Sequence, residues 1–186
     1  PTLGQLHHYK WGNKDLTPEK LKGWDVGIDQ NLMNKRLKLS STYFHNDYTN
    51  LITHVGGMMS GRYEQFGKAR THGVESSIEY SPNHLVSLSG NHTYTFTDDG
   101  TGRDLEHVPR NRYNFMMSFY PHERFSVFAR ARSATSRRTS RGNTKSFFDL
   151  DIGGKVRLFR AMGGDVFLWG QLRNVFDDDY SVSPGY

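Results

Sequence analysis

Hydrophobic and polar residues alternate along most of this chain. Alternation marks strands, because successive side chains leave a strand on opposite faces. The clearest run covers 86–97, where Val86, Leu88, Gly90, His92, Tyr94 and Phe96 oppose Ser87, Ser89, Asn91, Thr93, Thr95 and Thr97. Over 112–119, Tyr113, Phe115, Met117 and Phe119 oppose Arg112, Asn114, Met116 and Ser118. Over 147–158, Phe148, Leu150, Ile152, Val156 and Leu158 oppose Asp149, Asp151, Lys155 and Arg157. Shorter runs carry Trp24, Val26 and Ile28, then Leu37 and Leu39, then Val74, Ile78 and Tyr80, then Phe125, Val127 and Ala129. Val166, Leu168 and Leu172 share a last face, blurred by Phe167 and Trp169 on the other. The pattern predicts an all-β, antiparallel chain of about eight strands.

The connections carry a second pattern. Turn residues predict short links at Asn31 to Lys35, Ser81 to Asn83, Pro121 to Glu123 and Gly163 to Asp165, and longer polar links over 49–61, 98–110 and 136–144. Short and long alternate, as where tight periplasmic turns face longer external loops across an outer membrane. The faces agree with that. One is apolar and ringed, while the other carries Asp25, Asp29, Glu75, Glu79, Arg112, Arg130, Arg132, Asp149, Asp151, Lys155 and Arg157. So many charges do not fit a packed core, but they fit the wet lumen of a large barrel with lipid outside. Tyr80, Tyr94, Phe96, Tyr120 and Phe159 fall near strand ends, where interfacial girdles sit.

Composition sharpens this only a little. Hydrophobic residues are 35% of the chain yet aromatics reach 13%, too many rings for a disordered segment. No apolar run is long enough for a membrane helix, which leaves strands as the means of crossing. The net charge of +5 is modest, and the rings do not interleave with the basic residues as stacking platforms, so nucleic acid is not expected. There is no cysteine, hence no disulfide and no thiolate site. No nucleophile elbow, phosphate loop, zinc helix or dinucleotide fingerprint is present, so neither an enzyme nor a cofactor is expected.

Four segments now resemble a known family. PTLGQL, at Pro1 to Leu6, resembles a phrase of the TonB-dependent receptors. Gly12 to Ile28 resembles their Gly-Asn-Pro-Asp-Leu-Lys-Pro-Glu-Lys-Ser segment followed by a strand, with Lys14, Thr17 and Leu21 departing from it. Phe66 to Tyr80 resembles their Gly-Lys-Ala-x-x-x-Gly-Val-Glu strand, and Leu172 to Tyr180 their Asn-Leu-Phe-Asp-x-x-Tyr signature. The order and spacing are the family's across nearly the whole chain. The resemblance implies a transmembrane barrel of about 22 strands with a plugged lumen, in the bacterial outer membrane. Its function would be active import of a metal chelate, a ferric siderophore first and cobalamin second. The coupling partner would be the TonB complex, acting through a plug. The chain opens at Pro1 without a leader and ends in Pro184, Gly185 and Tyr186, which do not read as a strand. It is therefore expected to be the C-terminal part of such a barrel, without plug or last strand. A complete small eight-stranded barrel with a structural or adhesive role is the alternative, and a soluble β-rich binding domain a third reading.

Candidate ligand contacts are few. Arg130, Arg132, Arg137, Arg138 and Arg141 cluster on one strand and its loop, with Arg112 on a neighbouring strand. They could draw an anionic chelate, could hold lipopolysaccharide phosphates, or could be a solvated loop. His7 and His8 could touch a metal chelate from an external loop or be ordinary loop residues. Asp98, Asp99 and Asp104 flank two glycines, but their spacing fails the calcium-hand template and suits turn chemistry. The pairs Glu75 with Glu79 and Asp149 with Asp151 read as solvated lumen charge, and no metal site is expected.

Overall fold

The computed structural model describes residues 1–57, 60–139 and 142–179. Arg141, Tyr180 and the tail through Tyr186 lie outside them. A short helix, α1 (Leu3–His7), opens the chain. Alternation gave no hint of it. Thr2 starts it by accepting from Gln5 N while the Gln5 amide accepts from Thr2 N, a reciprocal cap. Strands follow: β1 (Lys20–Leu32), β2 (Leu37–Val55), β3 (Arg62–Tyr80), β4 (Val86–Asp98), β5 (Asn111–His122) and β6 (Phe125–Ala134). A two-residue pair, β7 (Arg138–Thr139) and β8 (Gly142–Asn143), precedes β9 (Phe147–Ala161) and β10 (Gly164–Leu172).

Eight strands form one sheet in the order β1-β2-β3-β4-β5-β6-β9-β10, and β7 with β8 makes a separate ribbon. Strands β1 to β6, and β9 with β10, lie beside their sequence neighbours, as hairpin connections require, and β6 meets β9 across the connection that holds the ribbon. β1 and β10 stand at the two ends of this order among the described residues.

Two loop expectations need correction. The link placed at 49–61 is shorter, because β2 runs on to Val55 and β3 resumes at Arg62. Polar residues there continue the ladder, since backbone pairing does not depend on an apolar face. The link placed at 136–144 contains the β7–β8 ribbon.

Burial is inverted relative to a soluble domain. Trp24, Val26, Ile28, Phe115, Ile152 and Leu168 are exposed, whereas the most deeply buried large side chains are Asp149 and Asp151. A continuous exposed apolar face would aggregate in water, which disfavours the soluble reading.

The described chain divides into two compact units. One comprises Pro1–Asp25, Phe44–His72 and Phe96–Leu105. In it the segment resembling the family's Gly-Asn-Pro-Asp-Leu phrase is stapled down residue by residue. Asn13 donates its amide to Tyr63 O at 2.9 Å, and its side-chain oxygen accepts from Asp15 N. Leu16 is buried. Gln65 donates to Thr17 O at 2.7 Å, and Glu19 accepts from Ile52 N at 2.8 Å. Asn50, just before, has φ 61, and its amide donates to Thr17 Oγ1. Past that left-handed residue, within β2, Ile52 N turns to the Glu19 carboxylate.

The other unit comprises Val26–Tyr43, Gly73–Thr95 and the chain from Glu106 onward. Its turns are tight. Met33, Asn34 and Lys35 all have positive φ, and Met162 with Gly163 turns β9 into β10 at φ 50 and 79, as a two-residue hairpin demands. A register shift between Val166 and Phe167 explains the blurred pattern of β10. After it, Phe167 and Trp169 align with Arg157 and Lys155, and the Lys155 ammonium lies 3.8 Å from the Phe167 ring centre. On the same face Phe128 lies over Gly153, which has no side chain to oppose it.

Candidate functional site

The second unit holds an ion-pair ladder. In the register of β6 with β9, Arg130 faces Asp151 and Arg132 faces Asp149. Arg130 donates to Asp151 at 2.9 Å, Arg132 donates to Asp149, and Arg132 also stands 3.5 Å from Asp151. Alternation puts all four on the charged face, and the register makes them opposite neighbours, where unlike charges attract best.

The two aspartates are not solvated, contrary to expectation. Their side chains are 3% and 1% exposed, covered by guanidinium groups that are 43% exposed. The cation is the long arm, so it lies over the short carboxylate and keeps its own outer edge wet. Asp149 Oδ1, Arg130 Nε and Arg132 Nε are buried without a hydrogen-bond partner among the described residues.

Asp151 does a second task. Its other oxygen accepts from Asn174 N at 3.1 Å. Asn174 has φ 48, and its side chain brackets the following turn, donating to Asp178 O and accepting from Asp178 N, both at 3.1 Å. Val175 N then rejoins β9 at Leu150 O. The C-terminal signature is thus a turn with a built-in brace, tied to the ladder through one carboxylate. Sequence reading took Asp151 as solvent-facing charge and missed this. Only the meeting of β6, β9 and the turn reveals it.

The remaining basic candidates divide. Arg112 lies on the same face as the ladder, opposite Ala134 and Thr93, with no ion pair among the described residues. Arg137 and Arg138 build the ribbon beyond β6. Arg137 N donates to Thr144 Oγ1, Thr144 N donates to Arg137 O, and His107 N donates to Arg138 O. Asn91 and Asn114 continue the polar face toward β4, joined at 2.8 Å.

His7 and His8 belong to the first unit. His7 is exposed at the end of α1. The His8 ring stacks 4.3 Å from Trp11, and its Nδ1 accepts from Lys10 N and Trp11 N, both at 3.3 Å. Only Nε2 remains for an outside partner. Tyr9 stacks on His8 at 5.0 Å, and Trp11 meets the edge of His54, which meets Tyr63 in turn, so five rings run in series.

Asp98 and Asp99 are turn formers. Asp98 Oδ1 accepts from Gly100 N and Gly102 N, and Asp99 Oδ1 from Thr101 N and Arg103 N. No group of three or more metal-ligating side chains occurs among the described residues.

Exposed rings on one face, ion pairs on the other, and an antiparallel order of sequence neighbours define the wall of a transmembrane β-barrel. Within that class the chain belongs to the TonB dependent receptor-like β-barrel family, whose model matches residues 1–171. Its place is the bacterial outer membrane. An iron-regulated outer membrane virulence protein of Vibrio cholerae is 26% identical over 136 residues, covering 64% of this chain and 21% of that protein. Among solved structures, the copper transporter OprC aligns with TM-score 0.76 and 18% identity over 91% of this chain and 27% of its own. The ferric-catecholate import receptor Fiu of K12 E. coli aligns with TM-score 0.71 and 23% identity over 97% of this chain and 27% of its own. The chain therefore spans about a fifth to just over a quarter of the length of these relatives.

Proposed function

We propose that the protein carrying this chain is an outer-membrane receptor that imports a metal chelate, with a ferric siderophore as cargo, rather than an enzyme. The family match over residues 1–171 supports the reading. Relatives named for iron regulation and ferric-catecholate import point the same way. This stretch supplies wall, loops and lumen charge. Import would be driven by the TonB complex acting on a plug domain.

Neighbours of this fold are named for different cargoes, copper for one and a ferric catecholate for another, so cargo is set by something other than the fold. It follows from charge in the lumen and loops. Arg130 and Arg132 are neutralised by Asp151 and Asp149. Arg112 carries a charge with no such partner, so it is the residue of the set best placed to meet an anionic chelate.

The test is uptake of radiolabelled iron by a strain lacking the gene and complemented with parent or Arg112→Gln protein. The parent restores uptake of an anionic ferric chelate. Arg112→Gln weakens uptake of that chelate more than of a neutral one. Restoration of cobalamin or copper uptake, with no iron uptake, would overturn the reading.

A further inference from the structure

In the first unit a row of rings crosses four strands. Trp24 stacks on His45 at 5.6 Å, His45 on His72 at 5.9 Å, and His72 meets Phe96 at 4.9 Å. Period two places Trp24 in phase with Val26 and Ile28, and Phe96 in phase with Tyr94 and Leu88. The row therefore lies on the apolar, lipid-facing side of these strands, and amphipathic rings there mark the membrane interface.

Two residues further along each strand, the same face turns charged. Lys22 and Lys20 follow Trp24 backwards along β1, Asp47 follows His45, Arg70 and Lys68 precede His72, and Asp98 follows Phe96. Two residues of strand rise about 7 Å, or about 5 Å of depth at barrel tilt. That is the thickness of the headgroup layer beyond the hydrocarbon. So these charges stand at the level of lipid phosphates.

The carboxylates in this band are already engaged. Asp47 accepts from Arg70 Nε at 2.9 Å and lies 3.2 Å from His45 Nε2. Asp98 accepts from the Gly100 and Gly102 amides. Lys20, Lys22 and Lys68 are exposed and have no ion pair among the described residues. Asp47, Thr49, Lys68, Arg70, Asp98 and Gly100 line a cleft of about 380 Å³.

We propose that this band holds the phosphorylated sugar headgroup of an outer-leaflet glycolipid, with Lys20, Lys22 and Lys68 meeting its phosphates beside Arg70. The excess of cations over carboxylates matches the anion. The row of rings beneath receives the start of the acyl chains. The cleft is lined by Thr49 and by charged side chains, which suit a hydroxyl-rich sugar better than a phosphocholine-like head. The lumen-facing arginines, by contrast, are on the wrong side of the sheet for lipid.

The test is native mass spectrometry of the whole receptor, purified from outer membranes in mild detergent. Foldedness is checked by heat-modifiable migration. The parent carries the phosphorylated glycolipid through purification. Lys20→Gln/Lys22→Gln/Lys68→Gln retains on the order of a hundredfold less, since each basic residue near an anionic surface contributes about a factor of five. Lys35→Gln, in the turn after β1, retains the parent amount. Equal retention by the triple variant would overturn the proposal. So would equal binding of glycolipid stripped of its phosphates, or displacement by inorganic phosphate alone, which would mark a free-phosphate site.

Discussion

Removing the Asp151 carboxylate tests the ladder and the C-terminal brace together. The side chain is 1% exposed and receives Arg130 at 2.9 Å, Arg132 at 3.5 Å and the Asn174 amide at 3.1 Å. Asp151→Ala leaves two guanidinium groups facing one another across the gap and a backbone donor unsatisfied. Breaking a fully buried pair costs about 3–5 kcal/mol. Here the cation partners are 43% exposed and stay partly hydrated, so the electrostatic part falls to about 1–2 kcal/mol. The orphaned Asn174 N–H adds about 1 kcal/mol. The sum is about 2–3 kcal/mol.

Asp151→Asn separates the two parts. An amide oxygen can still accept from Asn174 N, while the charge is lost, so about half the effect should remain. The assay is urea unfolding of the whole receptor in lipid vesicles, followed by heat-modifiable migration. The expected order of midpoints is parent, then Asp151→Asn, then Asp151→Ala. Protease cutting near Asn174 should appear only in the alanine variant. An Asp151→Ala midpoint within about 0.5 kcal/mol of the parent, the ordinary range for surface changes, would refute the reasoning.

Gly153→Ala places a Cβ 2.5 Å from the Phe128 ring. It should cost about 1–3 kcal/mol by overpacking, read by the same unfolding assay, and the cost should shrink in a Phe128→Ala background, where the Gln171 Cβ at 3.0 Å is the remaining close neighbour. Asn174→Gly relieves the positive φ but loses the side-chain brace, whereas Asn174→Ala loses both. Urea midpoints should therefore fall in the order parent, glycine, alanine, with about 1 kcal/mol separating glycine from alanine. Glu19→Ala leaves Ile52 N without its acceptor and should speed proteolysis of the segment over 10–19 in intact cells. The 186-residue chain expressed alone, with β1 and β10 each paired on one side only, should collect as inclusion bodies. A protease-resistant, heat-modifiable monomer in micelles would contradict that.

Much of the architecture was legible in the order of residues. A two-residue period is a local property of strand geometry, so Val86 to Thr97 announced both a strand and its two faces. Turn residues announced the tight ends, and Met162–Gly163 needed nothing from afar to form its hairpin. Segments such as Gly12 to Ile28 and Leu172 to Tyr180 were recognisable as motifs before any partner was known. The extent of β2 and β3 was not legible. Polar residues over 49–55 can pair or loop equally well by their own preferences, and the neighbouring strand decided it.

The candidate site depended on the tertiary structure still more. Alternation told which side Arg130, Arg132, Asp149 and Asp151 occupy. Which cation meets which carboxylate depends on the register of β6 with β9, and a one-residue slip would move every side chain to the other face. The same holds for Trp24, His45, His72 and Phe96, which are widely separated in sequence and meet only because four strands align. The sequence by itself determined strands, faces and family, because those follow from local geometry and short motifs. Only the folded sheet decided which charges are spent on one another and which remain for a ligand or a lipid, because that is a matter of distance between residues that the chain keeps apart.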